Sequence, residues 1–179
     1  MVGRTPNAFT LPVADSVLGY MLSFVRRLPW MDRDMKAGVW DKIPGRSLAE
    51  CTIGVVGVGA CGKAVLRRAH AFGARLLGND IVEIAPDFVR ELRIEMLALD
   101  ELLAQSDFVS LNCDLNPTSV HLMNARTLAM MQPGAVLINA ARGPIVEEPA
   151  LIDAQPRGVI AGAALDVFEF EPLPHDSPL

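Results

Sequence analysis

From residue 48 onward the chain repeats one pattern: a short apolar or β-branched run, then a stretch with helical periodicity. The runs fall at 51–58, 74–79, 108–112, 135–140 and 159–167, with a shorter one near 94–96. Little polar alternation interrupts them. Each is therefore expected to be buried on both faces, as in a parallel sheet covered by helices. The helical stretches lie near 61–72, 86–91, 99–105, 125–130 and 148–154. This alternation predicts an α/β fold with a doubly wound parallel sheet.

The lead-in differs. Residues 12–41 read as helix: Pro12 suits a first turn, and Val13, Val17, Tyr20, Met21, Phe24, Val25 and Leu28 recur at amphipathic spacing. Pro29 is expected to stop this helix, with a shorter one through Met31, Met35 and Val39 before Pro44-Gly45. At 179 residues there is room for one domain of ordinary size. The division expected is a helical lead-in and interdomain crossing over 1–47 and a sheet domain over 48–179. The tail from Phe170 is Pro-rich and reads as irregular.

Sixteen basic against 21 acidic residues leave a net charge of −5. No dominant positive field exists for nucleic acid or an anionic membrane. No apolar stretch reaches the roughly 18 residues of a spanning helix, and the first eleven residues lack the pattern of a signal peptide. Three scattered cysteines, Cys51, Cys61 and Cys113, suggest neither a disulfide framework nor zinc. A reducing, cytoplasmic setting is the expectation.

The most informative local motif is Gly57-Val58-Gly59-Ala60-Cys61-Gly62, between an apolar run and a helical stretch. Gly57 permits a tight turn, Gly59 lets backbone approach a pyrophosphate, and Gly62 allows helix and strand to pack closely. Asp80 follows at the end of the next run. Its carboxylate can accept from both hydroxyls of an adenosine ribose and would repel a 2′-phosphate, favouring NAD over NADP. Together these features predict a Rossmann-type sheet with an N-terminal helical arm. A second cluster, Asn139-Ala140-Ala141-Arg142-Gly143-Pro144-Ile145-Val146, places an arginine where open α/β sheets bind ligands. Its planar fork suits a carboxylate. A third, Gly162 to Pro172, runs an apolar strand into Asp166, Glu169 and Glu171, acids that by themselves read as solvated loop carboxylates.

The glycine turn with Asp80, then NAARGPIV and GAALDVFEFEPLP, resemble the cofactor domain of the D-isomer-specific 2-hydroxyacid dehydrogenases, including phosphoglycerate and glycerate dehydrogenases. The resemblance runs from Thr5-Pro6 and Val13-Ala14-Asp15 to Ser177-Pro178-Leu179. It implies hydride transfer between NAD and a D-2-hydroxy acid. Arg142 matches the arginine that grips the substrate carboxylate and carbonyl. Glu171 matches the glutamate that pairs with the catalytic histidine, and Asp166 the aspartate near the nicotinamide carboxamide. Gly57, Gly59, Ala60, Cys61, Gly62, Asp80, Cys113, Asp114, Ala140 and Ala141 fall at cofactor-binding positions. The chain departs from the pattern at Ala60-Cys61, where relatives more often carry Arg or Asn followed by Ile or Val. It departs again at Asn112-Cys113-Asp114-Leu115, where they read His-x-Pro-Leu. Formate dehydrogenases of the superfamily carry Gln at the glutamate position, so Glu171 leans towards hydroxyacid chemistry.

The family's acid–base histidine lies in a Pro-His pair one strand further on, and its substrate domain comes mainly from residues before this segment. The chain therefore reads as a cofactor domain truncated at both ends that does not turn over alone. Its own histidines, His70, His121 and His175, read as solvated or locally bonded. Gln155-Pro156-Arg157 should stop a helix at about Ala154. A different class, a corepressor-type module in which dinucleotide binding controls protein association, is compatible with the helical lead-in. So is an NAD-binding remnant of no independent function. Trp30, Trp40 and the methionines of 12–41 suggest a C2 homodimer, since such side chains are enriched at interface cores.

Overall fold

The computed structural model describes residues 8–179, so Thr5 and Pro6 lie outside the described residues. Helix α1 spans Thr10–Val25 and α2 Leu28–Lys36. The elements β1 (Thr52–Val56), α3 (Ala60–Ala71), β2 (Arg75–Asn79), α4 (Pro86–Leu92), β3 (Glu95–Met96) and α5 (Leu99–Gln105) follow. The chain continues through β4 (Phe108–Leu111), α6 (Ala125–Leu128), β5 (Val136–Asn139), α7 (Glu148–Ala154) and β6 (Gly162–Leu165). The six strands form one parallel sheet in the order β3-β2-β1-β4-β5-β6. Beside this sheet, Met123 and Val146 form a single isolated parallel bridge.

Each strand is apolar on both sides because each side has its own helices. Ile53, Val55, Leu76, Phe108, Val136 and Ile138 pack against α1, α3 and α4. Val56, Leu77, Val109, Leu111 and Leu137 pack against α5, α6 and α7. Period-two geometry thus sorts a continuous apolar run into two separate cores. Glycine permits the closest approach of strand to helix: a Cβ on Gly54 would meet the Leu102 side chain at 2.6 Å and Ser106 Oγ at 2.3 Å.

The lead-in corrects the expectation at Pro29. The first helix ends at Val25, and the break comes from Arg27, in the left-handed region at φ 57°. Pro29 opens the next helix, where its missing N–H costs nothing. The buried face of α1 is Ala14, Val17, Leu18, Met21 and Val25. Val13, Tyr20 and Phe24 are only half-buried, and Leu28 is exposed. This helix is bound into the sheet domain's own core, and Arg68 Nε on α3 donates to Asp15 Oδ1 at 2.6 Å. By contrast, α2 has no buried residue and Trp40 is 76% exposed.

The last strand is shorter than its apolar run, because residues 156–161 turn before Gly162 enters the sheet. Helix α7 ends at Ala154, ahead of Pro156. None of the described helices is long and apolar enough to cross a membrane.

Candidate functional site

Strand order reverses at β1, whose neighbours are β2 and β4. The loops leaving the carboxyl ends of β1 and β4 must diverge there, opening a crevice. Gly57, with φ 88°, leaves β1 so close to the β4 loop that a Cβ on it would lie 2.4 Å from the Cys113 nitrogen. A Cβ on Gly62 would lie 2.1 Å from the Gly57 carbonyl oxygen. Both glycines are fixed by the protein's own packing. Gly59 differs: a Cβ there would meet no protein atom within 4 Å. Its openness faces a cleft of about 480 Å³ lined by Gly57, Gly59, Cys61, Asp80, Cys113 and Asp114, among others.

Helix α3 begins at this cleft with Gly59 as N-cap and no side-chain cap. The N–H groups of its first turn and the positive end of its dipole are left for an anion. Asp80 stands opposite. Its Oδ2 accepts from Val58 N–H at 2.6 Å and Oδ1 from Val82 N–H at 3.1 Å. The two amides fix the carboxylate, while each oxygen keeps a lone pair for a further donor such as a ribose hydroxyl. The glycine loop, uncapped helix and clamped acid therefore fit a dinucleotide.

A neighbouring recess of about 310 Å³ shares Thr10, Cys61, Asn112, Cys113 and Asp114 with this cleft, and adds Ala140, Ala141 and Arg142 beyond β5. Buried Asn139 shapes that loop: its Oδ1 accepts from Ala141 N–H at 3.1 Å and its Nδ2 donates to the Arg142 carbonyl at 2.9 Å. Arg142 is exposed, and its Nη1 donates to the Ala141 carbonyl at 2.6 Å. Burial pushes the Cys61 and Cys113 thiols up from the ordinary thiol range.

Glu171 and Asp166 lie beyond the carboxyl end of β6, the strand beside β5, but neither lines this recess. The Glu171 carboxylate turns back to accept from Phe168 N–H at 3.0 Å. Asp166 Oδ1 accepts from the Tyr20 hydroxyl at 3.1 Å, and burial together with this contact raises the phenol's pKa.

The reading of the acidic loop as merely solvated is corrected at Glu169. Glu169 Oε1 lies 2.6 Å from His121 Nε2, and Glu169 Oε2 accepts from Glu148 N–H at 3.0 Å. No sequence spacing links residues 121 and 169; only the side-by-side placement of the loops after β4, β5 and β6 does. Gly143 was similarly hidden. A Cβ there would lie 1.8 Å from the Phe168 carbonyl oxygen, so it permits contact between the arginine and glutamate loops. His70 and His175 are exposed.

The model of the D-isomer specific 2-hydroxyacid dehydrogenase NAD-binding domain matches residues 18–179. A glyoxylate reductase of Korarchaeum cryptofilum is 39% identical over 184 residues, covering 99% of this chain and 55% of that protein. A D-3-phosphoglycerate dehydrogenase of Methanocaldococcus jannaschii is 36% identical over 182 residues, covering 100% of this chain and 34% of that protein. The chain thus spans between about a third and about half the length of these curated relatives. Among solved structures, a D-isomer specific 2-hydroxyacid dehydrogenase of Xanthobacter autotrophicus Py2, in complex with NADPH and MES, superposes with a TM-score of 0.87 at 38% identity. That match covers 97% of this chain and 55% of the other. With the parallel sheet, the glycine cleft and the arginine loop in place, the chain belongs to the D-isomer-specific 2-hydroxyacid dehydrogenase family, as its NAD-binding domain.

Proposed function

We propose that this domain is the cofactor half of an oxidoreductase moving a hydride between NAD and a small D-2-hydroxy acid. The carrying observation is Arg142 at the rim of the recess that continues the glycine cleft. In this reading the α3 N-terminus, with Gly57, Gly59, Ala60, Cys61 and Gly62, holds the pyrophosphate, and Asp80 takes the ribose hydroxyls. Backbone of Cys113, Asp114, Ala140 and Ala141 lines the path to the nicotinamide, whose carboxamide Asp166 faces. The bound cofactor supplies or accepts the hydride at its nicotinamide ring.

The guanidinium of Arg142 grips the substrate carboxylate bidentately and polarises the 2-oxo oxygen. Glu171 pairs with the acid–base histidine of the reaction and favours its protonated form. The domain division is 1–47 and 48–179. The setting is the cytoplasm, which three free thiols suit. The assembly is a homodimer through residues 12–41.

Fluorescence titration of the chain with NADH and NADPH tests the reading. NADH should bind at least about tenfold more tightly, because a 2′-phosphate would sit against the Asp80 carboxylate. Asp80→Ala should narrow the gap. Equal or tighter NADPH binding overturns the preference, and no binding of either overturns the function.

A further inference from the structure

His121 lies on the segment between β4 and α6 with φ 49°, in the left-handed region that side-chain-bearing residues enter at a cost. Bonds on several sides hold it there. Its N–H donates to the Pro144 carbonyl at 2.9 Å, and its own carbonyl accepts from Asn124 Nδ2 at 2.9 Å. Two residues on, Met123 N–H donates to the Ile145 carbonyl at 3.0 Å, and Glu147 N–H to the Met123 carbonyl at 2.8 Å. Its backbone is thereby stitched to the loop that carries Arg142. The imidazole reaches the other way, to Glu169 at 2.6 Å, on the loop that carries Glu171.

Glu169 is tied down in turn. Besides accepting from Glu148 N–H, it donates its own N–H to Glu148 Oε1 at 2.6 Å. Its side chain is only 14% exposed. Two residues later the Glu171 carboxylate closes back on Phe168 N–H. Phe168 is also the residue whose carbonyl touches Gly143, beside Arg142. One residue thus bonds the arginine loop through its main chain and the glutamate loop through its ring.

We propose that His121, acting through Glu169, is a positioning residue that sets the placement of Arg142 relative to Glu171. Neither member of the pair lines the cofactor cleft or the adjoining recess, so its action is indirect. The inference rests on the roles given to Arg142 and Glu171 under the proposed function. A displacement of about 1 Å between two such groups costs catalysis dearly, which makes a rigid tie between their loops consequential.

Amide hydrogen exchange on the chain, compared among the wild type, His121→Leu and His121→Gln, tests the tie. His121→Leu should speed exchange over both 142–146 and 168–171 by about tenfold or more. Exchange in β1 and α3 should be unchanged, and NADH affinity should stay within about twofold. His121→Gln should restore protection, since its amide reaches Glu169 as Nε2 does. As a second pair, Glu169→Leu should loosen both loops, whereas Glu169→Gln should keep them closed. Loosening confined to 119–123, or a Gln variant as loose as the Leu variant, overturns the proposal.

Oxalate titration of the NAD-loaded chain reads the consequence. Binding should weaken in His121→Leu, return in His121→Gln and disappear in Arg142→Ala. If the wild type binds neither NADH nor oxalate, the functional reading falls, while the exchange measurement still decides the tie.

Discussion

The three glycines of the cofactor turn do different work, and substitution should separate them. Gly62→Ala forces a Cβ to 2.1 Å from the Gly57 carbonyl, so the turn must shift and stability should fall by about 1–3 kcal/mol. Gly59→Ala has open space and a backbone at φ −73°, so stability should change by less than about 0.5 kcal/mol. NADH affinity should still drop about tenfold or more, because in the proposed cofactor site the new methyl stands where the pyrophosphate approaches. Urea unfolding beside NADH titration checks both variants.

The cleft thiols make a second test at this scale. Because burial raises their pKa, Cys61 and Cys113 are almost wholly protonated at pH 7. Iodoacetamide should label them slowly there and faster as pH rises through and beyond the ordinary thiol range. NADH should protect both, since both line the cleft. Peptide mass mapping reads the rates, and fast labelling at pH 7 would contradict the direction of the shift.

Among the elements, the segment that leads into β1 is joined to the sheet through Arg46. Arg46 Nη1 and Nη2 each donate to Asp107 Oδ1 at 3.0 Å, and Asp107 Oδ2 accepts from Thr52 N–H at 2.7 Å. Asp107→Ala should cost about 1–2 kcal/mol in urea unfolding, less than a fully buried pair because Arg46 is half-exposed. The strands were legible in the sequence because both faces of this sheet are covered. Leu76 and Leu77, or Val136, Leu137 and Ile138, needed no alternation to read as strand. Helix α5 was legible to the residue over 99–105, and α7 over 148–154.

The lead-in was less legible. A proline can end one helix or open the next, and the deciding event here, the left-handed turn at Arg27, carries no glycine to announce it. In the candidate site, the close approach of Gly62 to Gly57 and the hold of Val58 N–H on Asp80 were readable because these partners lie at fixed spacing along the chain. The tie between His121 and Glu169, and the contact of Gly143 with Phe168, were not. Both arise between loops brought together only by parallel pairing of β4, β5 and β6.

For the molecule as a whole, the apolar surface of the lead-in divides unequally. The face of helix α1 lies in its own core, whereas α2 has no buried residue, so in the proposed homodimer α2 and the residues after it would meet the second copy. Trp30 packs edge-on against Phe24 at 5.6 Å between ring centroids, whereas Trp40, Val39 and Met35 are exposed. A dimer burying more than about 1,500 Å² in total is expected. Trp30→Asp combined with Trp40→Asp should give a folded monomer by sedimentation velocity with an unchanged circular dichroism spectrum. A wild-type chain that sediments as a monomer at tens of micromolar would refute the dimer.

The central position of β1 also sets a timetable for folding. Strand β1 is synthesised before both its neighbours, Arg75–Asn79 and Phe108–Leu111, and the second of these lies far downstream. Its inner register, Ile53 against Phe108 and Val56 against Leu111, closes a loop of more than fifty residues, and loop closure precedes the reward of pairing. On a ribosome the glycine turn would therefore emerge long before the β4 loop that locks Gly57 in place. The cofactor cleft is then a late product of folding, completed only when the sheet has grown on both sides of β1.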